Sequence, residues 1–177
     1  MAELAQPVSC SYRPGGHGVE QVPDRIEREL VIATPRERVW AALTQPEHLS
    51  AWFGTSAEVD LRPGGALTFT WTPRDASGGA PHTNYAMVEV VDRPHRFVFR
   101  WRPFAGYEAL PLTEGPVTRV EFTLDEHPEG TRLRVVESGF ANLPPELRRR
   151  QHEGNTQGWD RELGELSTYL NSETAQR

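Results

Sequence analysis

One turn of a predicted helix near the C-terminus combines side chains that could do chemistry. His152, Glu153 and Asn155 place an imidazole, a carboxylate and a carboxamide close together in the chain. Helical zinc sites need two histidines four residues apart with a glutamate between them, and Thr156 stands where the second histidine would be. We therefore expect no metal and no other cofactor. We expect His152 and Asn155 to hydrogen-bond the polar end of a ligand, with bonds to neighbouring loops as the alternative.

The same helix carries glycines that favour a role in making space. Gly154 and Gly158 lie in its interior, where each glycine costs about 1 kcal/mol relative to alanine. Beyond them, apolar residues repeat at helical spacing and form one stripe. The stripe consists of Trp159, Leu163, Leu166 and Leu170. This pattern predicts a helix that is core element in one half and cavity wall in the other.

Two further ionisable residues are candidates for chemistry. His82 begins a strand after a glycine-rich loop, where it is either a general base or ligand contact or simply an exposed residue. Glu89 stands among apolar neighbours, so it is either exposed or paired, or it faces inward with a raised pKa. The chain has no Gly-x-Ser-x-Gly nucleophile motif and no spaced pair of carboxylates. We assign no catalytic residue.

Aromatic residues alternate along two predicted strands. Phe69 and Trp71 share one face of the first strand, and Phe99 and Trp101 share one face of the second. Aromatic rings that line a concave sheet can stack against a planar ligand. Plain core packing is the alternative for each ring.

The order of the predicted elements favours an α+β fold. A strand over residues 26–32 precedes a helix that begins at Thr34-Pro35, with Glu37 completing a capping box, and a second short helix that begins at Pro46. Period-two patterns then predict strands over residues 57–61, 67–71, 85–91, 97–101, 117–124 and 131–137. Short connections indicate an antiparallel meander. Only the final helix, opened by Pro144-Pro145, is long enough to cover a curved sheet of about six to seven strands.

Composition excludes several classes of function. The chain has 177 residues and a formal net charge of −6, and its only basic cluster is Arg148-Arg149-Arg150, so we expect no nucleic-acid binding. Cys10 is the single cysteine, which excludes a disulfide within the chain. Neither a signal peptide nor an apolar run of roughly 20 residues is present, so we expect no membrane insertion and a cytoplasmic location. We predict a flexible extension over residues 1–23, a single domain over 24–172 and a tail over 173–177.

Four segments resemble a known family. The segment from Ala33 to Phe53 is similar to the opening of bacterial START-like (SRPBCC, helix-grip) proteins, and within them to the branch named after the activator of heat-shock-protein-90 ATPase (AHSA-type). Three more segments match that branch: Leu61-Arg62-Pro63-Gly64-Gly65, Glu137-Ser138-Gly139-Phe140, and Gly154-Asn155-Thr156-Gln157-Gly158-Trp159 leading to Tyr169-Leu170. Together they span roughly residues 25–170.

The resemblance implies a cavity between the curved sheet and the long helix, used in the family for lipid, sterol, polyketide or aromatic ligands. It does not imply a reaction, because members include transfer proteins, cyclases, hydrolase-like enzymes and co-chaperones. Our leading hypothesis is non-catalytic binding of a small hydrophobic or aromatic molecule. The expected walls are Trp52, Phe69, Trp71, Tyr85, Phe99, Trp101 and Trp159, and the expected polar contacts are His152, Asn155 and Arg134.

Two alternatives belong to other classes of function. The first is an enzyme acting on an aromatic or polyketide-like substrate, with His82 or His152 as base. The second is an interaction module that acts on a chaperone ATPase. The oligomeric state also stays open, with a homodimer as one option.

Overall fold

A seven-stranded sheet and three α-helices form the fold in the computed structural model, which describes residues 21–72, 80–102 and 110–174. The strands are β1 (Arg25–Ile32), β2 (Ser56–Val59), β3 (Ala66–Trp71), β4 (His82–Asp92), β5 (Arg96–Trp101), β6 (Thr118–His127) and β7 (Gly130–Ser138). The helices are α1 (Arg36–Thr44), α2 (Pro46–Trp52) and α3 (Pro145–Thr174), with a 3-10 turn at Phe140–Asn142. Cys10, most of the predicted extension and most of the glycine-rich loop before His82 lie outside the described residues.

The sheet is the predicted antiparallel meander, with the first strand added at one edge beside the last. The strand order is β1-β7-β6-β5-β4-β3-β2, and every neighbouring pair is antiparallel. The chain therefore runs from β2 to β7 through consecutive neighbours, and β1 pairs with the last of them. The two short helices follow β1 as predicted, and α3 extends to Thr174, beyond the expected domain end at residue 172. The α+β helix-grip fold is confirmed.

The start of α1 differs from the expected capping box. Pro35, not Thr34, is the residue that caps the helix, and it makes no side-chain capping hydrogen bond. The Thr34 side chain is buried, and its hydroxyl has no hydrogen-bond partner among the described residues. The carbonyl of Pro35 instead accepts from the backbone N–H groups of Arg38 and Val39. Pro46 does occupy the first turn of α2, where a missing N–H costs nothing.

Helix α3 lies against the core through the predicted apolar stripe. All four stripe residues are buried: Trp159, Leu163, Leu166 and Leu170. An ion pair between Arg28 of β1 and Asp160 of α3, with 2.6 Å between Nε and Oδ1, holds the helix to the first strand. Near its C-terminal end, the Tyr169 hydroxyl lies 2.5 Å from Nδ1 of His48 in α2. The helix is therefore anchored at both the sheet and the short helices.

The outer face of the sheet carries a chain of ion pairs. Glu89 bonds to both Arg100 and Arg119, and Glu121 bonds to both Arg119 and Arg96. The hypothesis of an inward Glu89 with a raised pKa is wrong. Partial burial alone would raise the pKa of Glu89, but hydrogen bonds from the two guanidinium groups hold it below its usual range. For Glu121 the hydrogen bond from Arg96 is the main cause of a pKa that is likewise lowered.

The lowered pKa values of Glu89 and Glu121 predict a contribution to the stability of the fold that is lost in acid. A folded-state pKa below the unfolded value of about 4.5 stabilises the fold above that pH, and this contribution is lost as the pH falls through the folded pKa. We expect urea denaturation between pH 7 and pH 3 to show a decline that is less steep in the double variant Glu89→Gln/Glu121→Gln. An identical acid decline in both proteins would contradict this prediction.

Candidate functional site

A pocket of about 250 Å³ opens between the N-terminal half of α3 and the ends of β3, β4 and β5. We call it the α3 pocket. Its buried lining residues are Phe53, Asn84, Trp101, Trp159 and, on the helix, Glu162. Gly154, Asn155 and Gly158 form the helix side, and Trp71 forms part of the sheet side. Three indole rings thus line a space slightly smaller than the usual range of ligand-binding cavities.

The outer part of the α3 pocket is more polar. His82 is exposed, and its ring stacks against Trp71 with 6.5 Å between ring centroids. Arg161 lines the helix side and pairs with Glu162 at 2.8 Å, so these two charges compensate each other. Of the two histidines proposed as bases, the structure therefore places only His82 at the pocket.

The core below the α3 pocket is filled by aromatic side chains. Trp52, Phe69 and Phe99 are buried and surround a void of only about 10 Å³, about the space that a single water requires. The indole of Trp52 donates to the carbonyl of Ala42 at 2.8 Å, which ties the ring to α1. These three residues were predicted as walls of a ligand cavity, but none lines the α3 pocket. They pack as core, which was the alternative interpretation, and Trp52 also borders a separate depression of about 480 Å³ beside the α3 pocket.

Two other residues that were predicted to contact a ligand, Tyr85 and Arg134, do not line the α3 pocket and face away from it. The Tyr85 side chain is 60% exposed, because Tyr85 pairs with Thr68 on the outer face of β3 and β4. Arg134 also lies on the outer face, where its Nε donates to Glu27 at 2.7 Å. Successive residues of a strand point to opposite faces of the sheet, so the residues next to Tyr85 and Arg134 face inward. Asn84, next to Tyr85, is one of those inward residues.

The two polar residues predicted on α3 differ in their surroundings. His152 does not line the pocket: its Nε2 lies 3.3 Å from the carbonyl of Arg25, and its ring packs edge-on against Phe140. Asn155 does line the pocket, but its carboxamide is already bonded on both sides. Its Nδ2 donates to Glu137 at 2.8 Å, and its Oδ1 accepts from Gln151 at 3.0 Å.

Glu137, which the sequence analysis did not single out as a site residue, connects the walls of the pocket. Its fully buried carboxylate accepts four hydrogen bonds. Oε1 accepts from Trp101 Nε1 at 2.9 Å, from Thr118 Oγ1 at 2.5 Å and from Asn155 Nδ2 at 2.8 Å. Oε2 accepts from Trp159 Nε1 at 2.7 Å. One carboxylate therefore holds two indoles and one carboxamide of the α3 pocket in place.

All four of these donors are neutral, so no cation among them compensates the buried charge. Burial is the main cause that raises the pKa of the Glu137 carboxyl above its usual range, and the four hydrogen bonds oppose the rise. The short distance to Thr118 is typical of a hydroxyl bonded to an ionised acceptor. The carboxylate is a costly group to bury, and its position behind the pocket walls indicates that it orders them.

A sequence signal for Glu137 was present in strand β7. Alternation places Leu133 and Val135 on the inner face, and Glu137 continues that series. The same alternation places Arg134 outside. A carboxylate on the apolar face of a strand is the signal, because a buried acid needs partners.

The two glycines of α3 leave open space, as expected. A β-carbon added at Gly154 or Gly158 would meet no atom within 4 Å, and both residues line the α3 pocket. Gly164 on the same helix is equally uncrowded but does not line the pocket. The helix therefore presents no side chain at two positions that line the pocket.

Within the described part of the chain, no three His, Cys, Asp or Glu side chains are grouped closely enough to hold a metal ion. The helices of that part include none with the length and apolarity needed to cross a membrane.

Comparison with known proteins agrees with the fold. A family model described as "Activator of Hsp90 ATPase homolog 1-like protein" matches residues 33–171. No curated protein matches the chain. Among solved structures, a protein from Mesorhizobium loti is 25% identical with a TM-score of 0.65, covering 84% of this chain and 97% of its own.

Two further structures show the range of proteins with this architecture. A protein of the dynemicin biosynthetic locus is 26% identical with a TM-score of 0.62, and the match covers 84% of this chain and 48% of that one. An AHSA1-like protein from Aeromonas hydrophila is 20% identical with a TM-score of 0.65, covering 85% of this chain and 94% of its own, and shows the fold alone. The match of the family model over most of the chain means that this protein belongs to the family of Activator of Hsp90 ATPase homolog 1-like proteins.

Proposed function

We propose that this protein binds a small aromatic molecule in the α3 pocket without transforming it. The observation that carries the proposal is the pocket itself, an opening lined by the rings of Trp71, Trp101 and Trp159 beside two helix glycines. Aromatic rings offer a planar ligand large contact areas and favourable stacking geometry. The solved relative from a biosynthetic locus is compatible with a protein that handles a biosynthetic compound.

The size of the pocket favours a compact ligand over a long lipid. About 250 Å³ is below the usual range of drug-sized sites, and the core void beyond it has room for little more than one water. An adjacent depression of about 480 Å³ shares Trp71, Arg161 and Glu162, but it extends towards Gly54 and Glu165 and not into the core. An acyl chain would have to displace buried rings such as Phe69 and Phe99, which are 1% exposed. We therefore narrow the ligand class from lipids and aromatics in general to compact aromatic compounds.

The arrangement of acidic and basic groups favours binding over catalysis. Two buried carboxylates lie at the pocket, Glu162 in its lining and Glu137 behind its walls. Glu162 is paired with Arg161 at 2.8 Å, and Glu137 is fully enclosed with donors as all four of its contacts. A general base must reach the proton that it removes, and the Glu137 carboxylate does not line the pocket. His82 lies at the exposed edge of the pocket, and it acts in our proposal as part of the entrance.

Ligand binding is testable through the tryptophans of the pocket. We expect bicyclic aromatic compounds to quench or shift the emission of the purified protein, and to raise its melting temperature with ligand concentration. Long-chain fatty acids serve as the contrasting panel and should produce neither effect. Native mass spectrometry of freshly purified protein should show retained small molecules. If no aromatic compound changes fluorescence or melting temperature, or if only fatty acids do, the proposal is wrong.

A further inference from the structure

Asn84 is a buried polar side chain in the α3 pocket with no partner among the described residues. It lies on the inner face of β4, opposite Phe69 of β3, and is 7% exposed. Its carboxamide lines the pocket but makes no hydrogen bond within the described part of the chain. Asparagine is depleted in strands, and most buried polar side chains have a hydrogen-bond partner. Because the Asn84 carboxamide faces the open pocket, its partner is a group that enters from outside, either solvent or a ligand.

The polar groups of the pocket's indole and helix walls already have partners. The indole N–H groups of Trp101 and Trp159 both donate to Glu137, so these rings offer a ligand their faces and no donor. The Asn155 carboxamide is bonded to Glu137 and Gln151. Arg161 and Glu162 are paired with each other. In the described part of the pocket, Asn84 is the buried group that still offers both a donor and an acceptor.

We infer that Asn84 is the specificity-determining contact of the α3 pocket, and that it selects a neutral, planar aromatic compound with a hydrogen-bond donor and acceptor on adjacent atoms, such as a lactam or amide. The inference rests on the proposed function of this pocket. A carboxamide presents N–H and C=O side by side, so it pairs with a group of the complementary pattern through two hydrogen bonds. A buried polar group discriminates strongly against a ligand that leaves it unpaired.

Three bicyclic probes of similar shape test this assignment by calorimetric titration. 2-Quinolinone has the adjacent N–H and C=O, N-methyl-2-quinolinone lacks the donor, and naphthalene lacks both. For the wild-type protein we expect affinity to fall in that order. In Asn84→Leu, which keeps a similar volume, 2-quinolinone should bind at least about tenfold more weakly, while naphthalene should bind as well as before or better.

Stability provides a second measurement. Asn84→Leu replaces an unpaired buried amide with an apolar group, so its melting temperature without ligand should equal or exceed that of the wild-type protein. Asn84→Ala serves as a second variant if leucine does not fit, and it should show the same selective loss of 2-quinolinone.

The possible results distinguish failure of the role assigned to Asn84 from failure of the proposed binding function. Suppose that the wild-type protein binds the probes, but both variants bind all three probes equally more weakly or bind them all as the wild-type protein does. The role assigned to Asn84 is then wrong, while the binding function stands. Marked destabilisation of both variants assigns Asn84 a structural role and also overturns the inference. If the wild-type protein binds none of the probes, this inference is wrong, and the proposed function fails only if the wider aromatic panel fails as well.

Discussion

Glu137→Ala is expected to lower the free energy of unfolding by about 3 kcal/mol or more. The substitution leaves the donors of Trp101, Thr118, Asn155 and Trp159 without their shared acceptor. Each unsatisfied buried donor costs about 1–3 kcal/mol, and relief from burying the carboxylate offsets part of the sum. Urea denaturation followed by circular dichroism measures the change, and a red-shifted tryptophan emission should accompany it.

Two control variants make this prediction specific. Glu137→Gln keeps the shape of the side chain and one acceptor oxygen, but its carboxamide NH2 would face the donor of another residue. We therefore expect a smaller loss of unfolding free energy than for Glu137→Ala. Glu29→Ala removes an exposed glutamate that makes an ion pair with Arg132 on the sheet surface, and should change stability by no more than about 0.5 kcal/mol. If Glu137→Ala is no less stable than Glu29→Ala, the carboxylate does not organise the pocket walls.

The pH dependence of Glu137 has the opposite sign to that of the surface glutamates. Because burial raises its folded-state pKa, its contribution to stability is greatest below the unfolded pKa and is lost as the pH rises through the folded pKa. The wild-type protein should therefore gain stability relative to Glu137→Gln as the pH is lowered.

Gly158→Phe is expected to abolish binding of bicyclic aromatic compounds while leaving the fold intact. The new side chain would extend from α3 into the open space of the pocket, since no atom lies within 4 Å of the added β-carbon. A filled pocket should weaken binding at least about a hundredfold, as judged by calorimetric titration. The helix itself should gain up to about 0.5 kcal/mol, because phenylalanine has a higher helix propensity than glycine.

Gly164→Phe is the matched control for this experiment. Gly164 lies on the same helix in an equally open environment but outside the pocket, so the variant should bind as the wild-type protein does. Equal loss of binding in the two variants would point to a general effect on α3. Unchanged binding in Gly158→Phe would place the ligand somewhere other than the α3 pocket.

The elements of the fold were predictable because their signals are local. Pro46 and Pro145 mark helix starts, the stripe from Trp159 to Leu170 has helical spacing, and strand alternation identified the inward rings of β3 and β5. The ranges of most strands agree within a few residues. The first helix cap was wrong because a Thr-Pro pair permits either residue to stand at the helix boundary, and the surrounding packing selects between them.

The site was less predictable because it depends on strand register and on contacts between distant segments. Tyr85 was expected inside and Asn84 is inside, because pairing with Phe69 sets which face of β4 is buried. Shifting the inward set by one residue exchanges the two faces of a strand. Arg134 faces outward for the same reason, and here the alternation of β7 could have excluded it from the sequence.

By itself, the sequence determined the family, the antiparallel sheet and the long helix with its glycine-containing segment, since each follows from periodicity and local backbone preference. It could not show which aromatic residues close the core and which leave a pocket. Trp52 and Trp101 belong to the same residue type, yet one is bonded to Ala42 within the core and the other to Glu137 beside the open space. That division arises from packing between segments far apart in the chain, and it sets the volume, polarity and selectivity of the site.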